Sequence, residues 1–192
     1  VDLRADPIAE ITRNGIVLES GTHHELDVIV FATGYDAMTG PLLNLNIETP
    51  KASLKSYWEE GPRNYLGLAI PGFPNLFTIT GPGSPSVLSN MPVSIEQHVD
   101  WITECIAHCS ETGCTSIEAQ EQSAEIWTDH VRETADATLL PKVQHSWYLG
   151  ANIPGKPRVF MPYAGGLNTY RKICNNIAKE GYKGFILNSE KI

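Results

Sequence analysis

The chain contains one continuous apolar run among segments of alternating or helical pattern. Residues 27–34, DVIVFATG, carry four consecutive apolar side chains from Val28 to Phe31. Such a run predicts a strand buried on both faces, and Gly34 after it allows the backbone to approach a neighbour or a ligand closely. Taken alone, the segment favours an ordinary interior strand followed by a turn over a functional motif.

Alternating apolar and polar positions predict a β-hairpin upstream of this run. Residues 10–19 alternate around Asn14-Gly15, the preferred centre of a type I′ turn, in which both positions need positive φ. Short apolar segments predict further strands at residues 75–80, 159–161 and 182–187.

Apolar residues at helical spacing predict three longer helices, at residues 92–109, 117–140 and 168–180. A shorter helix is predicted near residues 53–60. Ser89 or Asn90 is available to cap the first long helix, Pro141 stops the second, and Gly181 ends the third. The side chains predicted on the apolar faces are Val93, Val99, Ile102, Ile106, Ile126, Trp127, Val131, Ala135, Tyr170, Ile173 and Ile177.

Composition narrows the classes of function. The net charge is -8, and no basic run is longer than Arg171-Lys172, so a nucleic-acid surface is not expected. No apolar stretch reaches the length of a membrane span, and the first four residues do not resemble a signal peptide, so we expect no membrane partner and a cytoplasmic location. At 192 residues the chain is too short for two complete nucleotide-binding domains.

The cysteines and histidines do not form a recognised metal motif. Cys105, Cys109, Cys114 and Cys174 lack a CxxC pair and are predicted to be free thiols. A metal site is conceivable because histidines lie in the same helical region, but buried thiols and surface histidines explain these residues more simply. No metal is therefore expected.

The loop before the first long helix is a candidate ligand site. Residues 81–86, GPGSPS, imitate the start of GxGxxG but lack its third glycine, so they do not predict a phosphate loop. The amides and positive dipole end of the helix would favour an anion or an electron-rich ring edge beside Ser89, Asn90 and Met91. A simple capped helix is the alternative interpretation.

A second loop, residues 146–158, is rich in glycine and proline and carries Trp147 and Tyr148. These aromatic side chains could act in a lid that stacks on a nicotinamide or ribose, or they could pack into a domain interface. Lys156 and Arg158 are predicted in an exposed turn.

No catalytic residue is assigned. The polar side of the first long helix accounts for its hydrophilic residues, which are Ser94, Glu96, Gln97 and His98.

Three long segments together resemble the C-terminal part of type I Baeyer-Villiger monooxygenases, nearest to the phenylacetone monooxygenase branch. They are residues 27–40, 65–102 and 146–166. The resemblance implies an α/β flavoprotein with two dinucleotide-binding (Rossmann-like) domains, of which this chain is the C-terminal segment with helical and loop-rich parts. It also implies an enzyme that uses FAD, NADPH and O2 to convert a small-molecule ketone into an ester or lactone.

The resemblance also implies roles for individual residues. Residues 1–34 would end the NADPH-binding domain, and residues 35–192 would form the C-terminal part of the FAD-binding domain. Met91 would lie beside the isoalloxazine and Trp147 would contact NADP. The cofactor-binding residues implied are Ala32, Thr33, Gly34, Asn90, Met91 and Trp147. The substrate-pocket residues implied are Ser86, Val87, Leu88, Ser89 and Met91.

The chain departs from the family pattern in several ways. It lacks both GxGxxG fingerprints, the FxGxxxHxxxW signature and the upstream arginine and aspartate, and Pro92 replaces an aliphatic residue. We therefore expect a piece of such an enzyme, whose partner is the missing N-terminal part and which is inactive when isolated. The alternatives are another class B flavin monooxygenase acting on nitrogen or sulfur, and a catalytically dead binding remnant.

Overall fold

A computed structural model describes residues 5–143 and 146–189 of the chain. The start of the chain, interpreted above as unlike a signal peptide, lies outside the described residues. The chain divides into two compact units, Val1–Gly34 and Tyr35–Ile192. Their assignment to NADPH- and FAD-binding domains stays a prediction.

The first unit contains an antiparallel sheet in the order β1-β2-β3, formed by Ile8–Thr12, Gly15–Leu18 and His23–Glu25. The predicted hairpin is confirmed, but the predicted turn type is wrong. Thr12 pairs with Gly15, so the turn residues are Arg13 and Asn14, and neither has positive φ. Glycine is required at position 15 because a Cβ there would collide with the carbonyl oxygen of His24 on β3.

The apolar run at residues 27–34 is not a strand, and the prediction of burial on both faces is wrong. It has no regular secondary structure and is exposed, with Val28, Val30 and Phe31 at 74%, 81% and 71% exposure. A doubly buried strand needs a hydrogen-bonded neighbour on each side. None of the described residues pairs with this segment.

The second unit contains five helices and one antiparallel strand pair within its described residues. The helices are α1 (Gly40–Leu43), α2 (Leu54–Tyr57), α3 (Met91–Thr112), α4 (Glu121–Asp136) and α5 (Leu167–Lys179). The strands are β4 (Ser116–Ala119) and β5 (Phe185–Asn188), and single 3-10 turns lie at Ser86–Leu88, Leu140–Lys142 and Trp147–Leu149. The helices predicted near residues 53–60, 92–109 and 168–180 and the last strand are thereby confirmed. Helix α1 was not predicted, since glycine and proline, the residue types at its start, are typical of turns.

The main core lies where α3, α4 and α5 pack with β4 and β5. Its aromatic members include Trp101, Trp127, Tyr163 and Tyr170, and Trp127 stacks on Tyr163 with ring centroids 5.2 Å apart. Aromatic pairs at such separations add roughly 0.5–1.5 kcal/mol beyond the burial of their area. A smaller cluster around Leu54 and another around Leu149 cover the loops.

Three predicted elements differ from the structure because nonlocal contacts overrule local pattern. The start of the predicted helix 117–140 is instead β4, which pairs with β5. Residues 75–80 form only an isolated bridge at Phe77, because the Asn75 side chain bonds the backbone beside β4 and the chain turns at Thr80. Residues 159–161 have no regular secondary structure and pair in no strand.

The predicted apolar face of α3 is wrong in part: Ile102 packs against the core and Val93 is half-buried, but its other two residues are not buried. Val99 and Ile106 are exposed, whereas the buried side chains are Ser94, Gln97, His98, Trp101 and Cys105. Ile126 on α4 is likewise exposed, although the other three predicted residues of that helix are buried. On α5 Tyr170 is fully buried, and Ile173 and Ile177 pack against the core.

Candidate functional site

A cavity of about 530 Å³ lies in the second unit at the beginning of α3. Four stretches of chain meet around it: residues 35–42, residues 77–81, the 3-10 turn with the start of α3, and Trp147. Most of the lining is apolar, including Met38, Leu42, Phe77 and Ile79. An apolar hollow with a few polar backbone groups suits a flat organic ring.

The first turn of α3 supplies the polar backbone. The Asn90 side chain accepts a hydrogen bond from the Val93 N–H, and the Asn90 carbonyl accepts one from Ser94. Pro92 has no N–H. The Met91 N–H has no hydrogen-bond acceptor within the described residues, so it is available to a ligand at this helix end.

Two non-glycine residues with positive φ lie on the cavity wall. Thr80 has φ 54° and Ser86 has φ 43°. Left-handed backbone at such residues costs about 1–3 kcal/mol and persists where surrounding contacts enforce it. The Ser86 carbonyl accepts hydrogen bonds from the N–H and the hydroxyl of Ser89, and the Ser89 hydroxyl lies 2.5 Å from that of Ser94 on α3.

His98 holds Thr80, the other cavity residue with positive φ, in place. Its Nδ1 accepts a hydrogen bond of 2.9 Å from the Thr80 N–H, and its side chain is fully buried against Tyr170. Burial lowers the pKa of His98 to about 4. The imidazole is therefore neutral at physiological pH, which is the form that can accept this bond.

Trp147 forms the remaining wall. Ser146 accepts a hydrogen bond from the Tyr148 N–H, and the rings of Trp147 and Tyr148 meet edge to face at 4.6 Å. The Tyr148 ring in turn contacts Phe160, and the Tyr148 backbone carbonyl accepts a hydrogen bond from the Met161 N–H. The base of the Trp147 loop is thus attached to a buried segment.

The structure brings together four of the residues that the sequence implicated: Ser86, Val87, Met91 and Trp147 all line the cavity. The side chain of Leu88 packs instead into the apolar cluster around Leu149. Ser89 and Asn90 support the loop and cap α3 beside the cavity. Ala32, Thr33 and Gly34 lie exposed in the first unit. Whether any of these residues contacts a cofactor or ketone stays a prediction.

Sequence reasoning missed Tyr35, Ala37 and Met38 as lining residues, together with Thr80. Their position directly after the ATG motif or before the GPG loop was the available signal. Lys156, predicted in an exposed turn, is half-buried and forms an ion pair with Asp36. The prediction for Lys156 is therefore wrong, because its cationic head has a carboxylate partner 120 residues away.

A second cavity of about 520 Å³ lies between α4 and residues 60–64. Its three arginines already have partners. Arg63 lies 3.5 Å from Glu121, Arg132 lies 2.8 Å from Asp129, and Arg158 donates a 2.6 Å hydrogen bond to the Val143 carbonyl. This cavity therefore offers a weaker case for an anionic ligand.

Among residues 5–143 and 146–189, no cluster of His, Cys, Asp or Glu could hold a metal ion, and no helix is long and apolar enough to cross a membrane.

The known proteins to which this chain is similar include several monooxygenases. The chain is 44% identical over 186 residues to a Baeyer-Villiger monooxygenase of Pseudooceanicola batsensis and 42% identical over 185 residues to a cyclohexanone 1,2-monooxygenase of Acinetobacter sp. Each match covers 96% of this chain and 34% of the relative. A phenazine N-monooxygenase of Lysobacter antibioticus is 40% identical over 99% of this chain and 35% of that protein. No family model matches.

Solved structures agree with these relatives. The closed crystal structure of cyclohexanone monooxygenase superposes with a TM-score of 0.92 at 40% identity. An oxidized steroid monooxygenase bound to NADP superposes with a TM-score of 0.85 at 48% identity. Each covers 99% of this chain, which spans 35% of the matched chain.

The fold is thus that of a segment of the two-dinucleotide-domain flavoprotein monooxygenases, as the sequence predicted. The chain spans about a third of the length of the relatives that it matches. Within that class, the chain is similar over nearly its whole length to type I Baeyer-Villiger monooxygenases, of which it matches the C-terminal part.

Proposed function

We propose that this chain is part of an FAD- and NADPH-dependent monooxygenase that inserts one oxygen atom of O2 beside the carbonyl of a ketone. The products are an ester or lactone, water and NADP⁺. The observation that carries this proposal is the identity of 42–44% with ketone monooxygenases over nearly the whole chain. The cavity at the start of α3 is the part of the site that these residues supply.

The residues present fit one edge of a flavin and a nicotinamide. A bound flavin supplies the redox chemistry with O2, and NADPH supplies the electrons. The Met91 N–H, at the positive end of a 22-residue helix, suits the pyrimidine edge of the ring, where a reduced flavin carries negative charge. In this proposal Trp147 covers the nicotinamide, and Ser86 and Val87 shape the ketone pocket; the support is that all three line the same cavity.

This chain lacks a Gly-rich pyrophosphate site in its sequence. The pyrophosphate groups of both cofactors are therefore held by residues of the enzyme outside this segment. We expect the isolated chain to bind FAD weakly and to leave ketones unchanged. An absorbance titration of the purified chain with FAD, compared with the protein expressed from its complete reading frame, measures this difference.

The deciding experiment uses the protein from the complete reading frame with NADPH, ¹⁸O2 and cyclic or aromatic ketones. A product that gains one ¹⁸O atom and hydrolyses as an ester or lactone supports the proposal. Trp147→Ala should raise the KM for NADPH, whereas Ile126→Ala, on an exposed part of α4 away from the cavity, should leave it unchanged. NADPH consumption with only hydrogen peroxide formed from every ketone would contradict the assignment.

A second candidate is oxidation of a ring nitrogen, because one relative of comparable identity is named a phenazine N-monooxygenase. The same cavity would then hold a heteroaromatic amine, and the substrate itself would be the nucleophile. Parallel assays with ketones and with phenazine separate the two candidates, since an N-oxide resists the mild base hydrolysis that opens an ester. Formation of the N-oxide alone would favour this candidate.

For location, we propose the cytoplasm. The four cysteines are free thiols, and Cys105 and Cys174 are buried. Proteins of reducing compartments keep such thiols unpaired. Cell fractionation followed by detection of the protein in the membrane, secreted and cytoplasmic fractions tests this assignment.

A further inference from the structure

An ion pair joins two walls of the cavity that are far apart in sequence. The Lys156 Nζ lies 2.6 Å from Asp36 Oδ1 and 2.6 Å from Thr39 Oγ1. The Thr39 hydroxyl donates to both Asp36 oxygens, at 3.0 and 2.9 Å. Thr39 is buried, and the Lys156 and Asp36 side chains are only 13% and 22% exposed. The three side chains form a closed polar cluster, which we call the 36–39–156 cluster.

The charges in this cluster are matched. Burial alone would raise the pKa of Asp36, but hydrogen bonds from Lys156 and Thr39 and the positive charge of Lys156 together lower it below its ordinary value. Asp36 is therefore ionised at neutral pH opposite a cationic lysine. A pair this well shielded from water is more costly to break on one side than an exposed pair, because it leaves an uncompensated charge.

A second bond and a packing contact act between the same stretches. The Asn152 side chain donates to the Tyr35 carbonyl at 3.1 Å. The stem of Lys156 lies over Gly150, where an added Cβ would be 3.0 Å from the Lys156 Cδ. Gly150 ends the single 3-10 turn that carries Trp147. The lysine stem is therefore packed against the turn that presents the tryptophan.

Both connected stretches end at the cavity. Tyr35, Ala37 and Met38 form one wall, and Trp147 forms another. We infer that Asp36 and Lys156 are positioning residues that hold Trp147 and the Tyr35–Met38 wall at a fixed separation across the candidate nicotinamide site. The positioning is a property of this unit alone, and only its effect on turnover rests on the proposed function.

The test uses the protein from the complete reading frame, with Asp36→Asn, Lys156→Met and the double variant. Glu180→Gln, Lys183→Met and their double variant are the matched control, because that pair is 3.3 Å apart but 56% and 75% exposed. Asn152→Ala is a milder variant that leaves both charges in place. The thermal midpoint of each variant shows that it is folded.

The first measurement is the rate of chymotrypsin cleavage after Trp147 and Tyr148, without substrates, located by mass spectrometry. Cleavage of a transiently opened segment follows the population of the open form. We expect each single variant of the 36–39–156 cluster to be cut about tenfold faster or more, with the double variant no faster than the worse single variant. The exposed control pair should change the rate less than about threefold. Cleavage rates equal to wild type in both single variants would overturn the inference.

The second measurement is the KM for NADPH and the fraction of NADPH that yields hydrogen peroxide instead of product. Loss of positioning should raise both values while changing kcat for the remaining productive turnover much less. The exchanged variant Asp36→Lys with Lys156→Asp should recover part of the loss, which a general folding defect would not allow. If cleavage accelerates while the wild-type protein oxidises no ketone or amine, the proposed function fails and the positioning role stands.

Discussion

Tyr170→Phe tests how the core holds a strained backbone. The Tyr170 hydroxyl is fully buried and donates a 2.7 Å hydrogen bond to the Leu66 carbonyl. Leu66 is itself fully buried and has φ 60°, a left-handed conformation that costs about 1–3 kcal/mol for a non-glycine residue. Phenylalanine keeps the ring contacts and removes only the oxygen. The Leu66 carbonyl then stays buried without its donor, so we expect the free energy of unfolding to fall by about 1–3 kcal/mol.

Urea unfolding followed by tryptophan fluorescence measures this change, since Trp101 and Trp127 lie in the same cluster as Tyr170. Tyr35→Phe is the matched control. Its ring is 73% exposed, so the same chemical change should alter stability by less than about 0.5 kcal/mol. A loss below about 0.5 kcal/mol for Tyr170→Phe as well would refute the reasoning, because the Leu66 carbonyl would then have found another donor at little cost.

Three further predictions concern buried groups and close backbone contacts. Burial lowers the pKa of His98 to about 4, whereas an unfolded histidine titrates near pH 6.5, so the unfolded chain binds more protons between these two pH values. The free energy of unfolding should therefore fall as the pH drops from 6.5 to 4. Urea titrations across this range measure that slope, and His98→Leu should flatten it. Gly67→Ala should cost about 2–5 kcal/mol, since φ is +69° and the new Cβ would lie 2.6 Å from the Ser84 nitrogen, whereas Gly72→Ala, with φ +81° and open space, should cost only about 1–2 kcal/mol in the same unfolding assay. Burial raises the pKa of both Cys105 and Cys174 to about 12, so neither thiol should react readily at neutral pH. A colorimetric thiol reagent should label at most two of the four thiols in the folded protein and all four in urea. Labelling of more than two thiols in the folded protein would contradict this.

The long helices could be predicted because their signals are local. Asn90 caps α3 with its own side chain, and Gly113 and Gly181 provide left-handed exits after α3 and α5. A cap and the helical spacing of apolar residues can both be recognised within a short stretch of sequence. Predicted and observed ends of α3 and α5 therefore differ by three residues or fewer.

The buried face of α3 could not be predicted because it depends on distant partners. Trp101 is buried since its indole donates to the Cys174 carbonyl on α5, and His98 is buried since it bonds the Thr80 amide. Periodicity alone favoured the more apolar side, which carries Val99 and Ile106. Likewise, residues 27–34 have the composition of an interior strand, but a strand needs a partner. The chain spans about a third of its relatives, and the described residues offer that segment none.

The lining of the cavity was easier to predict than its support. Motif resemblance pointed to Ser86, Met91 and Trp147 because these residues fall in continuous segments. The contacts that support the lining join residues far apart in sequence. His98 restrains Thr80, 18 residues away, and Lys156 restrains the Trp147 turn through Asp36, 120 residues away. Neither restraint touches the cavity volume itself. Substitution of Ser86 or Val87, which line the proposed ketone pocket, should therefore change which product forms. Substitution of a restraining residue should instead weaken the affinity for NADPH, as substitution of Trp147 itself should.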